Sequence, residues 1–209
     1  MKDATDKYAT SASLIERVKL NSEDAWRELA TLYQPLLEYW IGGYSARKCP
    51  IQSCDAQDII QEVWIGVRRN FQSFTLVSGR RSFRPWIRTI LYRRIADYVR
   101  KKRGGKERGE AIPATDLVAD LSEIVEQNDE LIEVDDEKER EILLTSALKD
   151  ISEKTKIDER HLRIFAHRYF SDRSNAEISE EFDDTKGNVS VIKSRVKKIL
   201  NEVYGCFLD

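Results

Sequence analysis

The chain has 209 residues, 41% of them hydrophobic, enough for one or two small domains with cores of their own. Charged residues make up 34% of it yet nearly cancel, to a formal net charge of -2, so any affinity for nucleic acid must come from local clustering and not from overall basicity. Cys49, Cys54 and Cys206 lack CxxC spacing and accompany only His161 and His167, which argues against a disulfide framework or a zinc site and for a reducing, cytoplasmic chain.

The first residues carry no apolar signal-like run, and no stretch approaches the roughly 18 apolar residues of a membrane span, so a soluble protein is expected. Leu14, Ile15 and Val18 begin a helical pattern that continues, after the cap residues Asn21 and Ser22, with Trp26, Leu29, Tyr33, Leu36 and Trp40. Pro35 is expected to kink or interrupt this second helix, and Gly42-Gly43-Tyr44-Ser45 to end it in a turn. Asp55 opens a third helix with Ile59, Ile60, Val63 and Val67 on one face. The stretch from Gln72 to Arg81 has no periodicity. Ser82 then caps a long helix whose stripe is Ile87, Ile90, Leu91, Ile95 and Tyr98, with Pro85 tolerated in its first turn and Gly104-Gly105 as its stop.

Between residues 104 and 138 the composition swings from basic to acidic, which marks a linker. Helical spacing returns in Ile142 to Ile151, in Leu162 to Phe170, and in a final pair separated by Asp183-Asp184-Thr185. The expected architecture is all-α, with two helical domains, residues 1–103 and 139–209, joined by the acidic linker 104–138.

Three constellations bear on function. The final pair reads as a helix-turn-helix whose second helix buries Val189, Ile192, Val196, Ile199 and Val203 and leaves Lys186, Asn188, Ser190, Val191, Ser194, Arg195 and Lys198 for a major groove. The bland alternative is an amphipathic hairpin with a solvated basic face. The second constellation gathers Arg80, Arg81, Arg84, Arg88, Arg93, Arg94, Arg100, Lys101, Lys102 and Arg103 on and around one helix against the single acid Asp97. Phe71, Phe74, Phe83, Trp86 and Tyr92 interleave with these cations, a pattern that suits single-stranded nucleic acid, although Trp86 is assigned to the core. The third is Asp55, Asp58, Gln61 and Glu62, an acidic helical face with no cation one turn away, either simply solvated or docked on a basic partner. A metal site is disfavoured there for want of other ligands, and the chain shows no P-loop, GxSxG or HExxH, so neither an enzyme nor a cofactor is expected.

Asp55-Ala56-Gln57-Asp58-Ile59-Ile60-Gln61-Glu62-Val63-Trp64 resembles the DAxDxxQExF signature of conserved region two in extracytoplasmic-function sigma factors, group 4 of the sigma-70 family. Ser82-Phe83-Arg84-Pro85-Trp86-Ile87-Arg88-Thr89-Ile90 is similar to the family's FRxWLxxI segment, and Asp97-Tyr98-Val99-Arg100-Lys101 to its DYxRR end. Arg168-Tyr169-Phe170, Ala176-Glu177-Ile178, Gly187-Asn188-Val189 and Lys193-Ser194-Arg195-Val196 resemble region four. The resemblance departs from the family at Asp183-Asp184, in place of a glycine and an aliphatic residue, at a longer stretch from Ser152 to Glu159, and at Arg93, where asparagine is frequent.

The resemblance implies a sigma factor that binds core RNA polymerase and directs promoter recognition, melting and transcription initiation. It implies that Asp55, Asp58, Gln61, Glu62 and Trp64 meet the clamp coiled coil of the polymerase. Phe71, Phe74, Arg80, Arg81, Arg84, Arg88, Arg93, Arg94, Arg100 and Lys101 would serve the melted minus-ten element. Lys186, Asn188, Ser190, Val191, Lys193, Ser194, Arg195 and Lys198 would read the minus-thirty-five duplex, with the flap of the polymerase nearby. The partners are then core polymerase and promoter DNA, with an anti-sigma protein admitted and no membrane. Two competing readings are a polymerase-independent helix-turn-helix regulator and, far behind, a metal-dependent nuclease built on Asp55, Asp58 and Glu62.

Overall fold

A computed structural model of the protein describes residues 12–75, 83–102, 136–171 and 173–204. In chain order these form α1 (Ala12–Lys19), α2 (Glu23–Arg47), α3 (Ser53–Asn70), a single 3-10 turn at Phe71–Ser73, α4 (Phe83–Lys102), α5 (Asp136–Lys154), α6 (Glu159–Phe170), α7 (Asn175–Glu181) and α8 (Lys186–Tyr204). No strand occurs among the described residues, and the fold is all-α as expected. Arg80, Arg81, Ser82, Arg103, Gly104, Gly105, Cys206 and the acidic stretch up to Asp135 lie outside the described residues.

The contacts divide the chain into two compact units, one of Met1–Pro35 with Asp136–Asp209 and one of Leu36–Asp135. In the second unit α3 packs on α4. Ile59, Ile60, Val63 and Val67 supply the buried face of α3, and Ile87, Ile90, Leu91 and Ile95 that of α4, at the three- and four-residue spacing that keeps a helical stripe on one side. Gly66 lets the two helices close: a methyl group at this position would lie 3.2 Å from Cγ2 of Ile90. Trp40 is fully buried, and the Arg88 guanidinium sits 4.8 Å from the centre of its ring.

In the first unit α6 and α7 pack on α8, and α5 packs on α6 and α8. α1 joins them, since Arg17 donates to the carbonyl of Val203 at 3.0 Å and to Glu28 of α2 at 2.6 Å. Lys154 lies 2.7 Å from Asp150 and 4.0 Å from Glu28. The Tyr204 hydroxyl donates to Asp150 at 2.6 Å. Burial, followed by the bond to Asp150, pushes the Tyr204 phenol well above its ordinary value. A chain of polar groups thus ties four helices from opposite ends of the sequence, and none of its buried members is left unpaired.

Two local expectations need correction. Of the kink or interruption expected at Pro35 the interruption does not occur, since α2 runs on to Arg47, and Gly42-Gly43-Tyr44-Ser45 is helical and not a turn. Glycine in a helix costs only about 1 kcal/mol, less than burying Leu36, Leu37, Trp40 and Ile41 along the same segment returns. Asn21, expected with Ser22 to cap α2, instead closes α1: at φ 57° its amide is on the Val18 carbonyl and that of Ser22 on Arg17. Ser22 then caps α2, its hydroxyl accepting from the Ala25 amide.

Candidate nucleic-acid interface

The face of α3 expected to meet a partner exposes Asp58, Gln61 and Glu62, with Asp55 and Trp64 half-buried beside it. The sequence shows no cation one turn away on this helix, but α4 brings Arg94 and Lys101 to the same cleft of about 240 Å³, which Asp55, Asp58 and Glu62 line together with Asp97 and Tyr98. Asp55 accepts from the Tyr98 hydroxyl at 2.5 Å, and Tyr98 in turn accepts from Lys102 at 3.0 Å. That last bond is the main cause that raises the Lys102 ammonium above its ordinary value of 10.5. Lys102 also reaches the carbonyl of Pro50 at 3.4 Å, so the junction of α2 and α3 is anchored to the end of α4. Asp55 is therefore an anchored residue, whereas Asp58 and Glu62 are presented to solvent. Among the described residues no group of three or more histidines, cysteines and acids is placed to hold a metal ion.

The basic helix α4 divides its cations between the interior and the surface. Arg84 is buried, Arg88 lies over Trp40, and Arg93 is half-buried with all three guanidinium nitrogens inside. Asp97 pairs with both Arg94 and Arg100. Arg100 and Lys101 are exposed at the end of the helix. Of the ten residues expected to serve melted DNA, Arg84, Arg88 and Arg93 thus support the packing of α4, and Arg94, Arg100 and Lys101 remain at the surface or the cleft.

Phe71 and Phe74, expected to contact bases, are buried. Phe71, Phe74, Phe83 and Trp86 pack ring against ring, with centroids 4.7 Å apart for Phe74 and Trp86 and 5.7 Å for Phe74 and Phe83. The cluster clamps the segment that leaves α3 onto the first turn of α4. Trp86 is only half-buried, so it is less a core residue than its apolar neighbours in sequence implied.

In the other unit, α7 begins with a capping box, Ser174 accepting from the Glu177 amide and Glu177 from the Ser174 amide. The Ser174 amide and hydroxyl, which donate to the Glu177 carboxyl at 2.7 and 2.8 Å, hold it below its ordinary value. Asp183, at φ 49°, closes α7, with the Asp184 amide on the Ser179 carbonyl at 2.8 Å. Asp184 does not face outward. Its side chain is 8% exposed and accepts from the Asn188 amide at 2.8 and 3.0 Å, from the Thr185 amide at 2.7 Å and from Arg160 at 2.9 Å. These donors, Asn188 first, hold its carboxyl below the ordinary 3.8. Arg160, which nothing in the sequence singled out, also donates to the Phe182 carbonyl at 2.7 Å and so fastens the turn to α6.

α8 buries Val189, Ile192, Val196, Leu200 and Tyr204, so its last turns pack through Leu200 and Tyr204, with Ile199 and Val203 half-buried. Lys186, Ser190, Val191, Ser194, Arg195 and Lys198 are exposed and Lys193 is half-buried. Asn188 is exposed but its amide is turned back onto Asp184, and Ser190 donates to the Lys186 carbonyl while accepting from Asn175.

Residues 29–104, from within α2 to just past α4, match the family model of sigma-70 region 2. The matched segment, about a third of the chain, takes in most of α2 together with α3, the 3-10 turn and α4. No curated protein matches the chain. No helix among the described residues is long and apolar enough to cross a membrane.

Proposed function

We propose that the chain is a sigma factor of the extracytoplasmic-function group, a cytoplasmic subunit that brings core RNA polymerase to promoters without chemistry of its own. The observation that carries this reading is the sigma-70 region 2 match over residues 29–104, with an acidic helix face and a basic helix inside it. In the proposal, residues 1–103 bind polymerase and open the minus-ten element, 104–138 form the linker, and the helices of 139–209 read the minus-thirty-five duplex as a helix-turn-helix. Asp58, Gln61 and Glu62 give the clamp coiled coil an acidic partner surface. Arg94, Arg100 and Lys101 meet the phosphates of melted DNA, and the half-buried Trp86 offers a ring beside them. Lys186, Arg195 and Lys198 do the same for duplex DNA along α8.

The test is transcription by core polymerase from double-stranded promoter fragments, with and without the chain. Initiation should need one chain per polymerase and should fall as salt rises. Duplex binding by a dimer of the chain alone, with no effect on polymerase, would replace this reading with that of an independent regulator.

A further inference from the structure

Gly187 stands in the first turn of α8, and no contact among the described residues requires a glycine there. A methyl group at this position would meet only Oγ1 of Thr185, at 4.0 Å. Glycine disfavours a helix, and where the fold leaves room for a side chain, what it provides is close approach from outside. Val191 lies one turn further along the same face and is 63% exposed, although it is a branched apolar side chain. Ser194, Arg195 and Lys198 continue that face. The polar groups that could compete at its centre are engaged within the protein: the Asn188 amide on Asp184, the Ser190 hydroxyl on Lys186 and Asn175. What remains is a low strip with an apolar centre and two cations, Arg195 and Lys198, toward its C-terminal end. In a major groove the apolar group at the base edges is the 5-methyl of thymine.

We propose that α8 reads a thymine in duplex DNA through Val191, which lies against the 5-methyl group, and that Gly187 leaves room for the sugar-phosphate wall of the groove to approach the first turn. Asn188 is then a positioning residue, held by Asp184, which Arg160 holds in turn, and not a reader of bases. The proposal rests on the reading of the C-terminal helices as a duplex reader, and it names the base that they recognise.

The test uses the full chain bound to core polymerase, and duplexes selected from a randomised library. Thymines of the upstream element are replaced by uracil one at a time, which removes only the methyl group. One replacement should weaken binding roughly three- to fivefold, the worth of one buried methyl. Val191→Ala should cost about as much on the thymine duplex and make that replacement silent, the two effects not adding. Gly187→Ala should leave the melting temperature unchanged or raised while weakening duplex binding. If the complex selects an upstream element but every uracil replacement is silent, or if Val191→Ala remains as sensitive to uracil as the wild type, thymine readout is wrong. Full binding by Gly187→Ala would remove the role given to that glycine. If the complex selects no upstream element at all, the duplex-reader reading fails, and this one with it.

Discussion

Asp184 is drawn inward at the turn before α8, where its carboxylate accepts from the Asn188 side chain, the Thr185 amide and Arg160. Of the two acids in that turn only Asp183 faces outward, and α8 itself is capped by Thr185, whose hydroxyl accepts from the Asn188 backbone amide at 3.1 Å. That aspartate tolerates the left-handed conformation was legible from its chemistry; the direction of the Asp184 side chain was not, because Arg160 comes from another helix 24 positions away. Since the folded carboxyl lies below its ordinary 3.8, its contribution to stability is present above that pH and is lost as pH falls through the folded value. A carboxyl-carbon NMR titration should find Asp184 below 3.8, and Asn188→Ala should move it upward; a titration at or above the ordinary value in the wild type would refute these bonds. Tyr204 tests the other polar network. Tyr204→Phe leaves the 6%-exposed Asp150 without its hydroxyl donor and should cost about 1–3 kcal/mol in denaturant unfolding. A change within about 0.5 kcal/mol, the range of surface substitutions, would show the bond to be idle.

Among the elements, α2 shows how far periodicity carries and where it stops. The spacing of Leu29, Tyr33, Leu36 and Trp40 identified the helix, but Pro35 and the glycine pair suggested breaks that the fold overrides, because tertiary burial on both sides of them outweighs local propensity. Pro35 is exposed and still lacks the amide that would bond Thr31. Pro35→Ala should therefore raise thermal stability, by about 1–3 kcal/mol; an unchanged or lowered melting temperature would mean that the proline fits its site better than helix propensity allows. Helices α3 and α4 were equally legible, since α3 buries its stripe and α4 all of its own but Tyr98, which is half-buried. The roles of Phe71 and Phe74 were not, because an aromatic ring beside arginines reads the same whether it stacks on bases or on other rings.

At the scale of the whole molecule, the grouping of residues 1–35 with 136–209 had no sequence signal. It rests on contacts such as Arg17 to Val203, separated by 186 positions, which no periodicity can reveal. Removing residues 1–35 should strip α5 and α8 of these partners, and amide hydrogen exchange in 136–204 should rise relative to the full chain. Equal protection in both would make the N-terminal helices dispensable for that unit. The charged faces, by contrast, were visible early, because exposed charge on a helix is a property of spacing: Asp58 and Glu62 are exposed on α3 where the sequence put them.

The central claim is that this chain is a subunit of RNA polymerase, and the most direct measurement is retention on immobilised bacterial core polymerase at moderate salt, wild type beside Asp58→Arg. Asp58 is exposed and makes no core contact, so its reversal of charge leaves the fold intact. Retention of the wild type, with Asp58→Arg weakened at least about tenfold as expected for like charges brought together at an interface, is the predicted result. Failure of the folded wild-type chain to bind core polymerase would contradict the account.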